Sequence, residues 1–236
     1  MKVIGRQEEI KQLEKIFQSQ NAEFVAVYGR RRIGKTYLIK QFFKDKKCLF
    51  LKSSGLLNGK LKIQLENFQK EIEATFYENR PGMRLSAFSN WNDAFRALHD
   101  AIELFAEKQK IVIFLDEFPW MAKPKSGLLE ALDYFWNRFW SEDKRIKLII
   151  CGSAASWIIE NILHNTGGLH NRVTLKLHLS PFSLKETQDY LQSKKIKYNL
   201  DQILKLYMCI GGVPYYLTDV THSVIFATEN RRSELL

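Results

Sequence analysis

The sequence has 236 residues, of which 45% are hydrophobic, enough for one buried core and a smaller appended unit. Its three cysteines lie far apart and form no Cys-x-x-Cys pair, which argues against a disulfide framework and a zinc site. The start lacks the apolar segment of a signal peptide, and no apolar stretch approaches the ~18 residues of a membrane span. We therefore expect a cytoplasmic protein without a membrane partner.

The net charge of +10 is concentrated in the first quarter of the chain. Residues 1–60 hold 14 Lys and Arg against 5 Asp and Glu, whereas residues 61–120 hold 7 against 10. An anionic small ligand would account for this excess as well as a polynucleotide would, and so would a solvated lysine-rich surface. The charge alone therefore leaves the class of ligand open.

Hydrophobic periodicity predicts helices and strands that alternate along most of the chain. In chain order we predict a helix over 7–18, a strand over 24–28, a helix over 35–43, a strand over 48–52, helices over 65–76 and 91–105, a strand over 111–115, a helix over 128–139 and a strand over 148–151. The last two strands are nearly continuous apolar runs, typical of parallel strands buried on both faces. This alternation predicts a doubly wound α/β sheet.

The pattern changes after Ser180-Pro181. Ser183 and Glu186 form a capping box that predicts a helix through about Ser193. A second helical stripe runs into Gly211–Pro214, where glycine stops a helix and proline prevents its resumption. We therefore predict an α/β core over residues 1–180 and a small helical lid over residues 181–236, and we expect this lid to be truncated.

Residues Gly29–Thr36 read GRRRIGKT and match the phosphate-binding pattern G-x-x-x-x-G-K-[ST]. The match lies between a predicted strand and a predicted helix, where backbone amides and the helix dipole favour a phosphate. Lys35 is predicted to reach the β- and γ-phosphates, and the Thr36 hydroxyl to bind Mg²⁺. The arginines occupy positions that tolerate side chains outside the phosphate cradle, where they add positive potential. We assign the whole loop to nucleotide binding: Gly29, Arg30, Arg31, Arg32, Ile33, Gly34, Lys35 and Thr36.

Two carboxylates follow the buried strand over residues 111–115. Open α/β sheets bind ligands outside the carboxyl ends of their strands, so Asp116 is predicted to hold Mg²⁺ and Glu117 to act as general base for hydrolysis. Ser153 follows the strand over 148–151 at the same edge of the sheet. Its hydroxyl is predicted either to sense the γ-phosphate and orient water, or to form a turn.

Five motifs in this order resemble the archaeal-type ATPases, P-loop proteins that are related to AAA+ proteins and belong to the STAND group. The motifs are the opening Ile4–Glu9 (h-G-R-x-x-E), the GRRRIGKT loop, LDEF at 115–118, CGSA at 151–154 and IGGVP at 210–214. The resemblance implies a three-layer P-loop NTPase sandwich of the α/β class, with a mainly parallel sheet in strand order 5-1-4-3-2. It also implies ATP and Mg²⁺ as cofactors and slow hydrolysis used as a conformational switch.

The same resemblance implies roles for three more residues. Arg6 would lie near the base or ribose of the nucleotide, Ser153 would be the sensor residue, and Arg172 would be the arginine finger. Similar proteins usually carry a Gly-Arg pair after the sensor strand, whereas here Asn171 precedes Arg172. The alternative is that Arg172 is an ordinary surface arginine.

Two functional classes are consistent with the sequence. The first is an ATP-hydrolysing switch, and the second is a nucleic-acid-binding AAA+ module that uses ATP for loading. Affinity for DNA would fall steeply with salt because counterions are released, whereas nucleotide binding would respond modestly. ATP and ADP are the expected small-molecule partners, and a homo-oligomer, a protein partner and nucleic acid are left open.

Overall fold

The computed structural model describes residues 3–78, 82, 84–106, 108–164, 167–169 and 171–221. The part of the predicted lid from residue 222 onward lies outside the described residues. Within the described part, no helix is long and apolar enough to cross a membrane.

The centre of the molecule is a parallel sheet of five strands. They are β1 (Glu23–Tyr28), β2 (Cys48–Ser54), β3 (Lys110–Asp116), β4 (Ile146–Gly152) and β5 (Leu175–His178). Their spatial order is β2-β3-β4-β1-β5, which confirms the predicted order 5-1-4-3-2 read from the other edge. β1 pairs with β4 from Glu23 opposite Lys147 to Tyr28 opposite Gly152. The carboxyl ends of the strands therefore lie together at one edge of the sheet, where the candidate site is found.

Ten α-helical segments surround and extend the sheet in the described part of the chain. They are α1 (Gln7–Gln18), α2 (Lys35–Phe43), α3 (Leu61–Ile72), α4 (Trp91–Phe105), α5 (Phe118–Met121), α6 (Leu128–Phe135), α7 (Ala155–Ile158), α8 (Leu184–Ser193), α9 (Leu200–Ile210) and α10 (Pro214–Leu217). Three of them continue as one π-helical turn each: α3 over Glu73–Tyr77, α6 over Trp136–Trp140 and α7 over Ile159–Leu163. The predicted stripes over 65–76 and 128–139 thus each combine an α-helix with a π-turn.

Alternation along the strands divides the core into two apolar layers, because successive side chains point to opposite faces of a sheet. Phe24 and Ala26 of β1 pack on one face with residues of α3, α4 and α6. Val25 and Val27 pack on the other face with residues of α1 and α2. These layers, with the sheet between them, form the three-layer sandwich expected for a P-loop protein.

The segment from residue 182 to residue 220 has an apolar cluster of its own. Its buried members come from α8, α9, α10 and the segments beside them: Phe182, Leu191, Ile196, Ile203, Leu206 and Leu217. We call residues 181–221 the lid. Ser183 begins α8, and Gly211, in the left-handed conformation at φ 64°, ends α9 as the sequence predicts.

Glu186 connects the lid to the amino-terminal segment. One carboxylate oxygen, Oε2, accepts hydrogen bonds from the Ser183 backbone amide (2.9 Å) and hydroxyl (3.1 Å), which completes the capping box. The other oxygen, Oε1, accepts from the backbone amide of Arg6 at 2.8 Å. Gly5 lies so close that a Cβ atom there would be 2.6 Å from the same oxygen. One side chain therefore both starts a lid helix and anchors the beginning of the chain.

A buried lysine joins three segments at the amino end of the sheet. Lys147 of β4 has no exposed surface, and its ammonium group donates to the carbonyl oxygens of Ser19, Asn21 and Lys144. Burial lowers the pKa of Lys147 to about 8, and the positive charge of Lys110 acts in the same direction. This contact lies at the amino ends of the strands, whereas the candidate site lies at their carboxyl ends.

Candidate functional site

The glycine-framed loop connects β1 to α2, and its two glycines are required for different reasons. Gly34 adopts φ 89°, a region that disfavours side chains, although a Cβ there would meet no atom within 4 Å. A Cβ at Gly29 would lie 2.2 Å from the carbonyl oxygen of Leu179. Gly34 thus provides backbone conformation alone, whereas Gly29, itself at φ 144°, also permits close approach of the segment that follows β5.

Lys35 at the start of α2 points back into the loop. Its ammonium group donates to the carbonyl oxygens of Gly29 at 2.9 Å and Arg30 at 2.8 Å. Because an ammonium group has three protons, one remains for an anion held by the loop. Burial lowers the pKa of Lys35, while the negative charges of Glu117 and Asp116 oppose that shift. The loop therefore holds a positive charge in its interior, where the sequence predicts phosphate binding.

Thr36 and Asp116 lie in contact. The Thr36 hydroxyl donates to Oδ1 of Asp116 at 2.9 Å, and the same oxygen accepts from the backbone amide of Glu117 at 3.2 Å. Hydroxyl and carboxylate oxygens suit Mg²⁺, which commonly takes one or two protein ligands together with phosphates and water. The described residues contain no group of three or more His, Cys, Asp or Glu that would hold a metal alone. The pair fits a cation that arrives with phosphate ligands.

Two further side chains contact Asp116 that the sequence analysis did not assign to the site. Lys52 of β2 places its Nζ 3.5 Å from Oδ2 of Asp116. The buried thiol of Cys151 lies near the same carboxylate, and burial together with that negative charge raises the thiol pKa well above its ordinary value. A lysine in the largely apolar strand β2 was the available signal for Lys52, whereas Cys151 was the first residue of the CGSA motif, in which only Ser153 was given a role.

Glu117 and Ser153 are brought together from neighbouring strands. Oε2 of Glu117 accepts hydrogen bonds from the Ser153 hydroxyl at 3.2 Å and its backbone amide at 3.4 Å. Glu117 itself adopts a left-handed backbone conformation (φ 47°, ψ 46°) between β3 and α5. The contact fixes the direction of the Glu117 carboxylate at the sheet edge that carries Asp116.

The three consecutive arginines have different surroundings. Arg30 and Arg31 are exposed, and the guanidinium of Arg31 lies 6.0 Å from the ring centre of Trp120. Arg32 instead turns to the lid: its Nη1 donates to the Tyr216 hydroxyl at 2.9 Å, and its guanidinium stacks 4.7 Å from the Tyr215 ring centre. The backbone is joined too, because the Tyr215 amide donates to the Arg32 carbonyl at 3.3 Å. We expected all three arginines only to add positive potential outside the phosphate-binding loop. This expectation is incomplete, because Arg32 also connects the loop to the lid.

Arg6 is buried between the loop and the lid. Its guanidinium donates to the carbonyl oxygen of Ile33 at 3.2 Å, pairs with Glu9 at 3.1 Å and lies over the ring of Phe182. Ile33 is itself buried in the apolar layer beneath α1 and α2. Arg6 thus holds the loop backbone where the loop faces the lid.

A cavity of about 450 Å³ lies between the loop, the amino-terminal segment and the lid. Its wall is formed by the amino-terminal segment (Val3, Ile4, Arg6), the loop and α2 (Arg31, Arg32, Ile33, Gly34, Lys35, Thr36, Tyr37, Leu38), Glu117, and the lid (Phe182, Tyr190, Lys194, Pro214, Tyr215, Thr218). This size and mixture of apolar and charged walls suit a small anionic ligand with a flat, apolar part.

Arg172 does not lie in this site. It is exposed and precedes β5, so it belongs to the amino end of the sheet, whereas the loop lies beyond the carboxyl ends. Its backbone amide donates to the carbonyl oxygen of Leu169 at 3.2 Å. Within one chain, the structure therefore brings together the other predicted catalytic residues but not Arg172.

Comparison with known proteins identifies a family that this chain matches. The family described as an ATPase domain predominantly from Archaea matches residues 4–220. An uncharacterized protein of Methanocaldococcus jannaschii is 27% identical over 217 residues, which make up 92% of this chain and 44% of that protein. The chain thus spans less than half the length of this relative.

Solved structures show the same fold. The Walker-type ATPase of Pyrococcus abyssi superposes with a TM-score of 0.64 and 16% identity, covering 91% of this chain and 65% of that one. A STAND protein with a tetratricopeptide-repeat sensor from Pyrococcus horikoshii gives a TM-score of 0.53 and 22% identity, covering 95% of this chain and 31% of that one. At these identities the likeness extends to the fold alone.

Proposed function

The chain belongs to the family of ATPase domains found predominantly in Archaea, and we propose that it binds ATP with Mg²⁺ and hydrolyses it slowly as a conformational switch. The observation that carries hydrolysis is the Glu117 carboxylate, which Ser153 holds beside the Thr36–Asp116 pair. A nucleotide-binding module without turnover would not need a second, separately oriented carboxylate at this place.

Each residue has a distinct task in the proposed reaction. The loop amides and Lys35 bind the phosphates, and Thr36 and Asp116 hold Mg²⁺, which neutralises phosphate charge when bound. Glu117 accepts a proton from the attacking water at its carboxylate, and Ser153 keeps that carboxylate in position. Arg6 is proposed to lie beside the base or ribose, since it borders the cavity between loop and lid.

The proposed switch uses the two connections from the loop to the lid. Arg32 bonds Tyr216, and Arg6 bonds both the Ile33 carbonyl and, through its backbone amide, Glu186. A shift of the loop backbone on binding or releasing phosphate would therefore be transmitted to α8 and α10. In such a device the ligand changes the populations of lid positions through its differential contacts with them.

The test of hydrolysis is Glu117→Gln. The amide retains an oxygen for the Ser153 hydrogen bonds but cannot take the water's proton, so binding should persist while bond cleavage slows by about 10²–10⁴-fold. Single-turnover hydrolysis of prebound ATP is the appropriate measurement, because slow product release does not affect it.

The matched control for binding is Lys35→Ala, which should abolish tight ATP binding in calorimetric titration while circular dichroism still shows the folded sandwich. If Glu117→Gln cleaves bound ATP at the wild-type rate, Glu117 is not the base. If Lys35→Ala binds ATP normally, the loop is not the phosphate site.

A further inference from the structure

Lys52 occupies a position that a divalent cation would also favour. Its Nζ lies 3.5 Å from Oδ2 of Asp116 and donates to the hydroxyl of Ser54. Ser54 stands directly opposite Asp116 in the pairing of β2 with β3, and Lys52 is two residues earlier on the same face. The ammonium group is thus held by the sheet itself beside the predicted metal ligand.

Lys52 is one of several charged side chains around Asp116. Asp116 is almost fully buried, Lys35 is buried near it, and Lys52 also interacts electrostatically with Glu71. A buried carboxylate is costly unless a positive charge or hydrogen bonds compensate it. Here Oδ1 accepts from Thr36 and the Glu117 amide, while Oδ2 faces Lys52. Both oxygens of Asp116 are therefore already compensated.

We propose that Lys52 competes with the divalent cation for Asp116, so that the protein takes up Mg²⁺ together with nucleotide and not before it. This inference rests on the proposed function, in which Asp116 is a metal ligand. An ammonium group within a few ångströms repels a free cation and removes its electrostatic advantage at the carboxylate. A cation already bound to a polyphosphate arrives with negative charge, which attracts Lys52 instead of opposing it.

The consequence is that nucleotide and cation bind in a fixed order. Free Mg²⁺ does not accumulate on the empty loop, and Asp116 becomes available when the incoming phosphates give Lys52 another negative partner. Lys52 is a positioning residue in this proposal, because it acts on the metal through Asp116.

The experiment measures Mn²⁺ binding to the nucleotide-free protein by electron paramagnetic resonance, since Mn²⁺ also prefers oxygen ligands in octahedral geometry. Lys52→Met removes the charge, and Lys52→Gln removes it while keeping a hydrogen-bond donor for Asp116. Both variants should bind Mn²⁺ at least about tenfold more tightly than the wild type, because a nearby repulsive charge is gone. Lys52→Arg keeps the charge and should behave as the wild type does.

Lys47→Met is the matched control, because it removes one positive charge from an exposed lysine just before β2. It should leave Mn²⁺ binding unchanged. In the double variant Lys52→Gln/Asp116→Asn the gain should disappear, which ties it to this carboxylate.

Two results would overturn the proposal. One is unchanged Mn²⁺ affinity in both neutral variants. The other is weaker binding of Mn²⁺ with ATP and no gain for Mn²⁺ alone, which would mean that Lys52 acts on the phosphates and does not compete with the cation for Asp116. Failure of the proposed function is distinguished by Asp116→Asn: if that single variant binds Mn²⁺ with ATP as tightly as the wild type, Asp116 is not the metal ligand.

Discussion

Neighbouring arginines of the phosphate-binding loop contribute differently because of what each side chain contacts. Arg31 is exposed at the mouth of the cavity, whereas Arg32 has a hydrogen bond and a ring contact on the lid. Arg32 also adopts φ 71°, a left-handed conformation that is unusual for a residue with a side chain. Its contacts to Tyr215 and Tyr216 hold the side chain on the lid.

Substitution of these two arginines should therefore give different results. Arg31→Ala should weaken ATP binding about fivefold or less, as expected for an exposed charge. Arg32→Ala should detach the loop from the lid and raise amide hydrogen exchange over Tyr215–Leu217, which Arg31→Ala leaves unchanged. Exchange measured by mass spectrometry and calorimetric ATP titration test the pair. A loss of affinity in Arg31→Ala as large as that in Lys35→Ala would show that Arg31 enters the phosphate site.

At the scale of elements, sequence periodicity predicted the long helices and the strands β1 to β4 to within a few residues. It did not predict β5, which has four residues and alternates Leu175 and Leu177 with exposed positions. Such a short alternation is ambiguous, and β5 is fixed by its pairing with β1, a contact across some 150 residues of chain. The motif residues of the site were predictable because spacing determines them, whereas Lys52 and Cys151 join it only through strand pairing.

The Lys147 contact at the amino edge of the sheet should contribute to stability. Lys147→Met keeps the apolar stem but removes the donor for three carbonyl oxygens, which should lower the free energy of unfolding at pH 7 by about 1–3 kcal/mol. The lowered pKa of Lys147 means that the unfolded chain binds its proton more strongly. Between pH 8 and the ordinary lysine pKa, the wild type therefore gains stability from this group as pH rises, and the variant does not.

Urea unfolding at pH 7 and pH 9 measures both effects, and the difference between the two proteins should widen at the higher pH. Lys144→Met, at an exposed lysine nearby, is the control for loss of one positive charge. Equal stability of wild type and Lys147→Met, or a difference that narrows with pH, would contradict this account.

At the scale of the whole molecule, Arg172 and the loop lie at opposite ends of the sheet, so an arginine finger could act only on a neighbouring copy. If it does, Arg172→Ala and Glu117→Gln should each hydrolyse ATP slowly, and an equal mixture should regain activity. A site is then competent when its own Glu117 and its neighbour's Arg172 are both intact, which holds for roughly a quarter of the sites in a randomly mixed assembly. ATPase assays on mixtures measure this regain, and additive slow rates would leave Arg172 as a surface residue.

The hydrogen bonds of Glu186 limit which residues can replace it in related sequences. Capping boxes ordinarily accept Glu or Gln at this position, because one acceptor oxygen is sufficient. Here both oxygens accept hydrogen bonds, one from Ser183 and one from the Arg6 amide, and Gln would present an amide donor to one of them. Selection should therefore keep Glu where a helix start alone would tolerate either residue. Gly5 lies against the same carboxylate and adopts φ 66°, so glycine should be kept at this position wherever Glu186 is kept among relatives.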